Sequence, residues 1–300
     1  TSATQAVLQQ TPVAESDRNN YSEVREVFFP RSGNVRVVER SSATGTLEHR
    51  LRRQFSRTRR SGLQRRFERY VRNSYKAEGL GRFDMSVARD MGQPFTLTAE
   101  ALESGIGYTG AEEARMQLRS GVLFTFLPPI IRDAALGASS REGDDAQRAA
   151  MQLIGSRDAD LILPESYRAE LKFILHPPPG YRLAELPPPV ETKLGSATWR
   201  FFMQDKGEVL QAVFQFDTGD RRMKADDARK LVIGLARVFE QPITVVTFHH
   251  EGAKLVSGGN WAQGIEAYQR AADAGTALDR ARYAEALMRA QLGWLARPEA

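Results

Sequence analysis

EGAKLVSGGNWAQGIEAYQRA, residues 251–271, predicts a pair of packed helices. Small residues lie where the two helices must approach each other: Gly252, Gly264 and Ala271. Gly258-Gly259-Asn260 predicts the turn between the helices, because glycine and asparagine adopt positive φ at little cost. Large side chains fill the gaps between the small ones: Leu255, Trp261 and Tyr268.

This spacing resembles the tetratricopeptide repeat, a helical hairpin that binds other proteins and performs no chemistry. The resemblance implies a tetratricopeptide-like tail over residues 246–300, in which Leu255, Trp261 and Tyr268 bind a protein partner. A second repeat is suggested by Tyr283, Ala284, Leu287 and Ala296. Because roughly three repeats are needed to bury a core, we expect the tail to pack on the rest of the chain, to continue beyond Ala300 or to be completed by a partner.

Composition limits the classes of function. A length of 300 residues predicts about two domains, and no apolar run approaches the roughly 18 residues of a membrane span. Cysteine is absent, which excludes disulfides, thiolate metal ligands and a cysteine nucleophile within this sequence. The absence of cysteine suits the cytosol and an oxidising compartment equally. The chain begins at Thr1 without a signal peptide, so we interpret it as a piece of a longer protein.

Hydrophobic patterning predicts an α+β fold that is mainly β, with antiparallel, sandwich-like modules, a crossing amphipathic helix and the helical tail. Period-two alternation predicts strands at residues 23–29, 35–38, 47–55, 83–87, 95–99, 122–127, 169–175, 199–203 and 210–216. Asp205-Lys206-Gly207 predicts a hairpin turn. The predicted organisation is a linker (1–20), a β-rich module with helix 57–76 (21–133), a connection or insertion with a short helix (134–160), a second β-rich module with helix 225–239 (161–245) and the tail (246–300).

Positive charge is concentrated in one segment. Residues 50–76 hold eleven basic side chains and one acid, Glu68, whereas the whole chain carries a net charge of +5. One stripe of the predicted helix gathers the candidate anion-binding residues Arg65, Arg69, Arg72 and Lys76. The favoured interpretation is a docked helix whose basic face is solvated or paired within the chain. The alternative is binding of nucleic acid or anionic lipid by this face.

No catalytic residue, metal ligand or cofactor site is predicted. Gly105-Ile-Gly-Tyr-Thr-Gly110 matches a dinucleotide-binding fingerprint in letters, but the buried strand and βαβ unit it needs are missing, so we interpret it as a flexible turn. His249 and His250 are adjacent and point to different faces, and His49 is expected on the inner face of a strand. The pairs Asp144-Asp145 and Asp226-Asp227 suit helix starts rather than acid–base catalysis.

The order of several short motifs resembles the region that follows the catalytic core in large bacterial transglutaminase-like proteins, over residues 9–300. The resemblance implies a cysteine–histidine–aspartate core in cis outside this chain, and an envelope protein that is periplasmic or extracellular. This chain would then be a non-catalytic accessory region. The motifs are Gln10-Thr-Pro12, Arg25-Glu-Val27, Gly33-Asn-Val-Arg-Val-Val-Glu39, Ala43-Thr-Gly45, the basic helix, Pro178-Pro-Gly-Tyr181, Leu186-Pro-Pro-Pro-Val-Glu191 and the tail.

Overall fold

The fold is taken from a computed structural model that describes residues 15–56, 60–139, 145–241, 244–273 and 275–295. Most of the predicted linker, and Ala296, lie outside these ranges. The helices are α1 Gly45–Phe55, α2 Arg60–Tyr75, α3 Pro129–Ser139, α4 Asp145–Gly155, α5 Ala225–Glu240, α6 Glu251–Ser257, α7 Trp261–Asp273 and α8 Ala277–Leu295. None of the described helices is long and apolar enough to cross a membrane.

The strands are β1 Asn20–Phe28, β2 Gly33–Ala43, β3 Ala77–Met85, β4 Thr96–Thr109, β5 Glu113–Leu118, β6 Leu161–Ile162, β7 Arg168–His176, β8 Tyr181–Leu183, β9 Val190–Leu194, β10 Ala197–Asp205, β11 Leu210–Asp217, β12 Arg222–Met223 and β13 Thr244–His250. Short 3₁₀ helices cover Ser16–Arg18 and Gly121–Phe124. The α+β class is confirmed. Helix and strand occupy similar shares, about 39% and 36%, so the fold is not mainly β.

One large mixed sheet connects both parts of the chain that were predicted as separate β-rich modules. Its strand order is β8-β13-β5-β4-β2-β1-β7-β11-β10-β9, and β3 pairs with β4 beside β5. The central pair, β1 and β7, is parallel, with Val24 opposite Lys172. The expectation of purely antiparallel pairing was therefore wrong at the centre of the sheet, where strands far apart in sequence meet.

Alternate side chains of the sheet form one buried face, as period two requires. On β7 this face carries Ala169, Leu171, Phe173 and Leu175, all at most 3% exposed. Strands β10 and β11 form the predicted hairpin, and Gly207 supplies the positive φ (+84°) of its turn. The buried face is therefore continuous across the centre of the sheet, where the helices cover it.

Helices α1 and α2 cover part of this face. Residues 47–55 were predicted as a strand but form α1, because Leu47, Leu51 and Phe55 also recur every four residues. As a result His49 is exposed on a helix and does not line a strand's inner face. Helix α2 corresponds to the predicted helix 57–76 and begins its described part at Arg60. Its buried face is spaced by four residues: Leu63, Phe67, Val71 and Tyr75.

The other helices complete the core. The predicted strand at 122–127 is instead a 3₁₀ turn followed by α3, which contributes buried Ile131, Ala134 and Ala135. Helix α4 confirms the short helix expected after Asp144, and α5 confirms the helix predicted at 225–239. The segment predicted as a connection is thus mostly two helices that pack against each other and, through α3, against α5.

Candidate functional site

The tail consists of three packed helices, and two of the predicted small residues, Gly252 and Gly264, lie at the contact between α6 and α7. A Cβ atom built on Gly252 would lie 2.6 Å from Tyr268 Cδ2, and one on Gly264 would lie 2.6 Å from Val256 Cγ2. Gly259 has φ +84° in the turn between α6 and α7, as predicted. The tail begins later than predicted, because residues 246–250 belong to strand β13.

Helix α8 contacts the body of the protein through an ion pair between Asp279 and Arg31. Asp279, 3% exposed, accepts hydrogen bonds from Thr276 N (2.8 Å) and Thr276 Oγ1 (3.0 Å), which caps the helix, and it also pairs with Arg31. Arg282 donates to the carbonyl oxygens of Arg31 (3.1 Å) and Gly110 (3.0 Å). Burial opposes ionisation of Asp279, but these donors and cations outweigh it and lower its pKa.

A cleft of about 820 Å³ lies between α6, α7, α8 and the turn before β5, and we call it the tail groove. Trp261 and Tyr268, two of the three predicted protein-binding residues, line it. Leu255 lies on α6 and is not among its lining residues. The groove also contains charged side chains of both signs: Glu112, Glu113, Lys254, Glu285 and Arg289.

His250 lies behind Tyr268, on the sheet side of the tail. Its ring stacks on Tyr268 at 4.4 Å between centroids and meets Tyr181 edge-on at 5.0 Å. Burial, together with the charge of Arg282, lowers the pKa of His250 to about 4, so the ring is neutral at pH 7. His250 is the N-cap residue of α6, but its side chain forms no capping hydrogen bond. Within the described ranges, no group of three or more His, Asp or Glu side chains is arranged to hold a metal ion.

The four predicted anion-binding residues share the exposed side of α2 and its end. Arg65, Arg69, Arg72 and Lys76 are all exposed, and within the described part of the chain none of them forms an ion pair. Arg52 of the same basic segment differs, because it is buried against Glu48 (2.7 Å) and the carbonyl oxygen of Asp90 (2.6 Å). Of the two forms of the favoured interpretation, the structure therefore matches a solvated basic face rather than a paired one.

The glycine-rich fingerprint is not a turn. Gly105–Thr109 belongs to β4, and Gly107 is close to Val35 of the neighbouring strand, with 2.9 Å from a built Cβ to Val35 Cγ1. No helix follows Gly110; the chain turns directly into β5. The flexible-turn interpretation was therefore wrong for Gly105–Thr109, and the helix that a dinucleotide-binding fingerprint requires does not follow Gly110.

Sequence reasoning missed a group of polar residues buried under α1 and α2, which we call the acid–tyrosine cluster. Glu23 and Glu39 are 1% and 3% exposed. Arg25 Nε donates to Glu23 at 2.6 Å, and Tyr70 donates to Glu39 at 2.6 Å. Two more hydroxyls donate to these carboxylates, that of Tyr21 to Glu23 and that of Tyr75 to Glu39. The cluster consists of Tyr21, Glu23, Arg25, Glu39, Tyr70 and Tyr75.

One carboxyl group of the cluster is poised between its two protonation states. Burial, followed by the negative charge of Glu23, raises the pKa of Glu39 to about 7, although Arg25 and the two tyrosine hydroxyls favour its charged form. Burial also raises the pKa of the Tyr75 hydroxyl, which therefore remains a donor. A signal was present in the sequence: Tyr21, Glu23 and Arg25 occupy the inward positions of a strand, where polar residues need partners.

The chain matches no model of a known protein family and no curated protein. Among solved structures it is similar to the crystal structure of a "putative protease" from Parabacteroides distasonis, with 13% sequence identity and a TM-score of 0.30. The match covers 46% of this chain and 23% of that chain, so it spans under a quarter of that protein. A TM-score this low does not establish a shared fold.

Proposed function

We propose that this chain is a non-catalytic accessory and protein-interaction region whose tail groove binds a segment of a partner protein. The observation that carries the proposal is the groove itself, which places Trp261 and Tyr268 together in a cleft of about 820 Å³. Aromatic side chains in a concave site provide most of the binding energy of many protein interfaces. The tetratricopeptide-like spacing of the tail supports the same function.

The charges around the groove favour a peptide over a small apolar ligand. Glu112 and Arg289 are 70% and 59% exposed, and their closest oxygen–nitrogen distance is 3.9 Å, so both remain hydrated. A rim of hydrated charges around an aromatic centre is typical of protein interfaces. We therefore infer an occupant with an apolar side chain for the aromatic residues and charged neighbours for the rim.

The transglutaminase-like relationship remains part of the proposal and rests on the order of the sequence motifs. In this proposal the sheet and its helices are the sandwich-like accessory region of a bacterial envelope protein, periplasmic or extracellular. They support a transglutaminase-like core in cis. The tail groove would then bind the partner on which the longer protein acts.

The first test uses a photo-crosslinking amino acid at Lys254, an exposed position in the groove, to identify the partner. Calorimetry with the purified partner then compares Trp261→Glu with Met288→Glu, a change on α8 at a side chain that is 58% exposed and outside the groove. We expect Trp261→Glu to weaken binding at least about tenfold, or 1.4 kcal/mol, and Met288→Glu to bind normally. Equal affinity of Trp261→Glu and the unchanged chain would refute the proposal.

The exposed basic face of α2 supports a second candidate function, the binding of nucleic acid or anionic lipid. Arg65, Arg69 and Arg72 lie on one side of a helix without carboxylate partners in the described ranges, so their guanidinium groups are available to phosphates. The nearby aromatic residues Phe67 and Tyr75 are buried and cannot stack on bases.

The salt dependence of binding distinguishes the binding of nucleic acid or anionic lipid by α2 from the binding of a protein by the tail groove. Reversing Arg65, Arg69 and Arg72 to Glu should abolish retention on heparin or on anionic vesicles and reduce the salt slope for duplex DNA by roughly three. The matched control reverses Arg237, Arg270 and Arg280, exposed arginines of α5, α7 and α8, and gives the same change in net charge. If both triple variants lose retention equally, only the net charge acts, and the α2 face is not a site.

A further inference from the structure

A cavity of about 380 Å³ lies between the inner face of the sheet and helices α1 and α2. Its polar part is the acid–tyrosine cluster, from which Tyr21, Glu23, Glu39 and Tyr70 line the cavity. A volume of this size is within the range of sites for small molecules. The proposed protein-binding function does not use it.

The buried end of the cavity can accept a further hydrogen bond. Glu39 Oε2 accepts from Tyr70 and Tyr75, whereas no donor among the described residues reaches Oε1. Glu23 is matched by the charge of Arg25, with an Nη2–Oε1 distance of 2.6 Å, so Glu39 is the carboxylate without a bonded cation. A buried carboxylate with an unused oxygen favours a cationic donor such as an amino group.

The open end of the cavity has the opposite charge. Arg50 and Arg66 are exposed residues that line it, and neither forms an ion pair with any described residue. Their guanidinium groups lie over Phe126 (5.7 Å) and Phe55 (4.8 Å), which holds them at the rim. Guanidinium groups in such positions bind carboxylate or phosphate oxygens.

The wall between the two ends is apolar. Phe55 and Phe67 stack on each other with a centroid distance of 6.1 Å, and both line the cavity together with Leu97 and Phe126. A ligand that satisfies the whole cavity therefore has charged groups at opposite ends and an apolar middle.

We propose that this cavity binds a small zwitterionic molecule of about dipeptide size, with its amino group on Glu39, its apolar body between α1, α2 and the sheet, and its anionic group on Arg50 and Arg66. The tyrosine hydroxyls orient the Glu39 carboxylate toward the amino group. The arginines select the anionic end and leave it in contact with solvent.

Calorimetry with three matched probes tests the proposal: leucyl-leucine, its N-acetyl form and its C-terminal amide. At about pH 7.5 an α-amino group is still largely protonated. We expect leucyl-leucine to bind, the N-acetyl form to bind at least tenfold more weakly and the amide about fivefold more weakly. Absence of leucyl-leucine binding up to about 10 mM, or equal binding of the three probes, would overturn the proposal.

Two variants connect the probes to the residues. Arg50→Gln should weaken leucyl-leucine about fivefold and leave the amide unchanged, whereas Arg53→Gln, an exposed arginine of the same helix outside the cavity, should change neither. Glu39→Gln should abolish the preference for the free amino group. If Glu39→Gln fails to fold, Arg50→Gln decides, because unchanged leucyl-leucine affinity in that variant contradicts the proposed orientation.

Discussion

Glu39 shows how a single buried carboxyl group couples the fold to pH. Its side chain is 3% exposed and accepts hydrogen bonds from Tyr70 and Tyr75. Its pKa rises from 4.5 to about 7, because burial and the charge of Glu23 disfavour the ionised form. The folded chain therefore holds this proton more tightly than the unfolded chain does.

We expect the free energy of unfolding to contain a term from Glu39 that is full below pH 4.5 and is lost as the pH rises to about 7. This shift of the Glu39 pKa corresponds to a contribution of about 3 kcal/mol to the free energy of unfolding. Urea unfolding between pH 5 and 8 measures it. The glutamine of Glu39→Gln cannot titrate. As the pH rises, the free energy of unfolding of Glu39→Gln should therefore increase relative to that of the unchanged chain.

His250 provides an internal comparison for this measurement. Its pKa is lowered from 6.5 to about 4, so its contribution is full above pH 6.5 and is lost as the pH falls through 4. Between pH 4.5 and 6.5, His250 therefore makes the free energy of unfolding rise with pH, whereas Glu39 makes it fall. A Glu39→Gln variant whose stability profile runs parallel to that of the unchanged chain would contradict the assignment of the slope to Glu39.

At the scale of elements, the tail helices depend on two glycines. Gly252 and Gly264 allow α6 and α7 to approach until Tyr268 and Val256 touch the opposite backbone. The first side-chain carbon of any other residue would overlap these atoms. The sequence predicted this contact correctly because it is local: both partners lie within one helical hairpin.

Gly264→Val should destabilise the helix pair by about 1–3 kcal/mol, since overpacking forces the backbones apart. Hydrogen exchange should show faster exchange in α6 and α7 and unchanged protection in β1 and β7. Gly258→Ala is the matched control, because a Cβ there has ordinary contacts of 3.4 Å or more. Normal protection of α7 in Gly264→Val would show that the two helices do not need this close approach.

Other elements were predictable only in part. Leu47, Leu51 and Phe55 fit a period of two and a period of four, so the pattern alone could not distinguish strand from helix. Glu23 and Glu39 are 16 positions apart. The alternation in β1 places Glu23 inward, but the residues that it meets are decided only when β1 and β2 pair and α2 covers them. The acid–tyrosine cluster therefore depends on tertiary packing, which the sequence pattern did not show.

At the scale of the whole molecule, the tail is part of the body and not an appendage. Arg31, from the turn between β1 and β2, pairs with Asp279 of α8 across 248 positions. Tyr181 of β8 bonds the carbonyl oxygens of Gly110 (2.6 Å) and Ala111 (3.1 Å), which closes the same junction. The tail therefore packs on the rest of the chain, which was the first of the three alternatives expected from the sequence.

Asp279→Ala should loosen α8 from the sheet by about 3 kcal/mol, because it removes a helix cap and leaves Arg31 and Arg282 without their carboxylate. Limited proteolysis should then cut near residue 275 first. Glu285→Ala is the control, since its pair with Arg289 (2.7 Å) is exposed and contributes about 0–1 kcal/mol. Equal cleavage rates in the two variants would mean that Asp279 does not hold α8 on the sheet.

The parallel pairing of β1 with β7 has a consequence for how the chain forms. Asn20 aligns with Arg168, so β1 stays without one of its neighbours until almost 150 more residues have left the ribosome. Contacts of such long sequence separation slow folding, and an unpaired strand edge invites association with other chains during the wait. We therefore expect a co-expressed chaperone or a low expression temperature to raise the yield of folded protein.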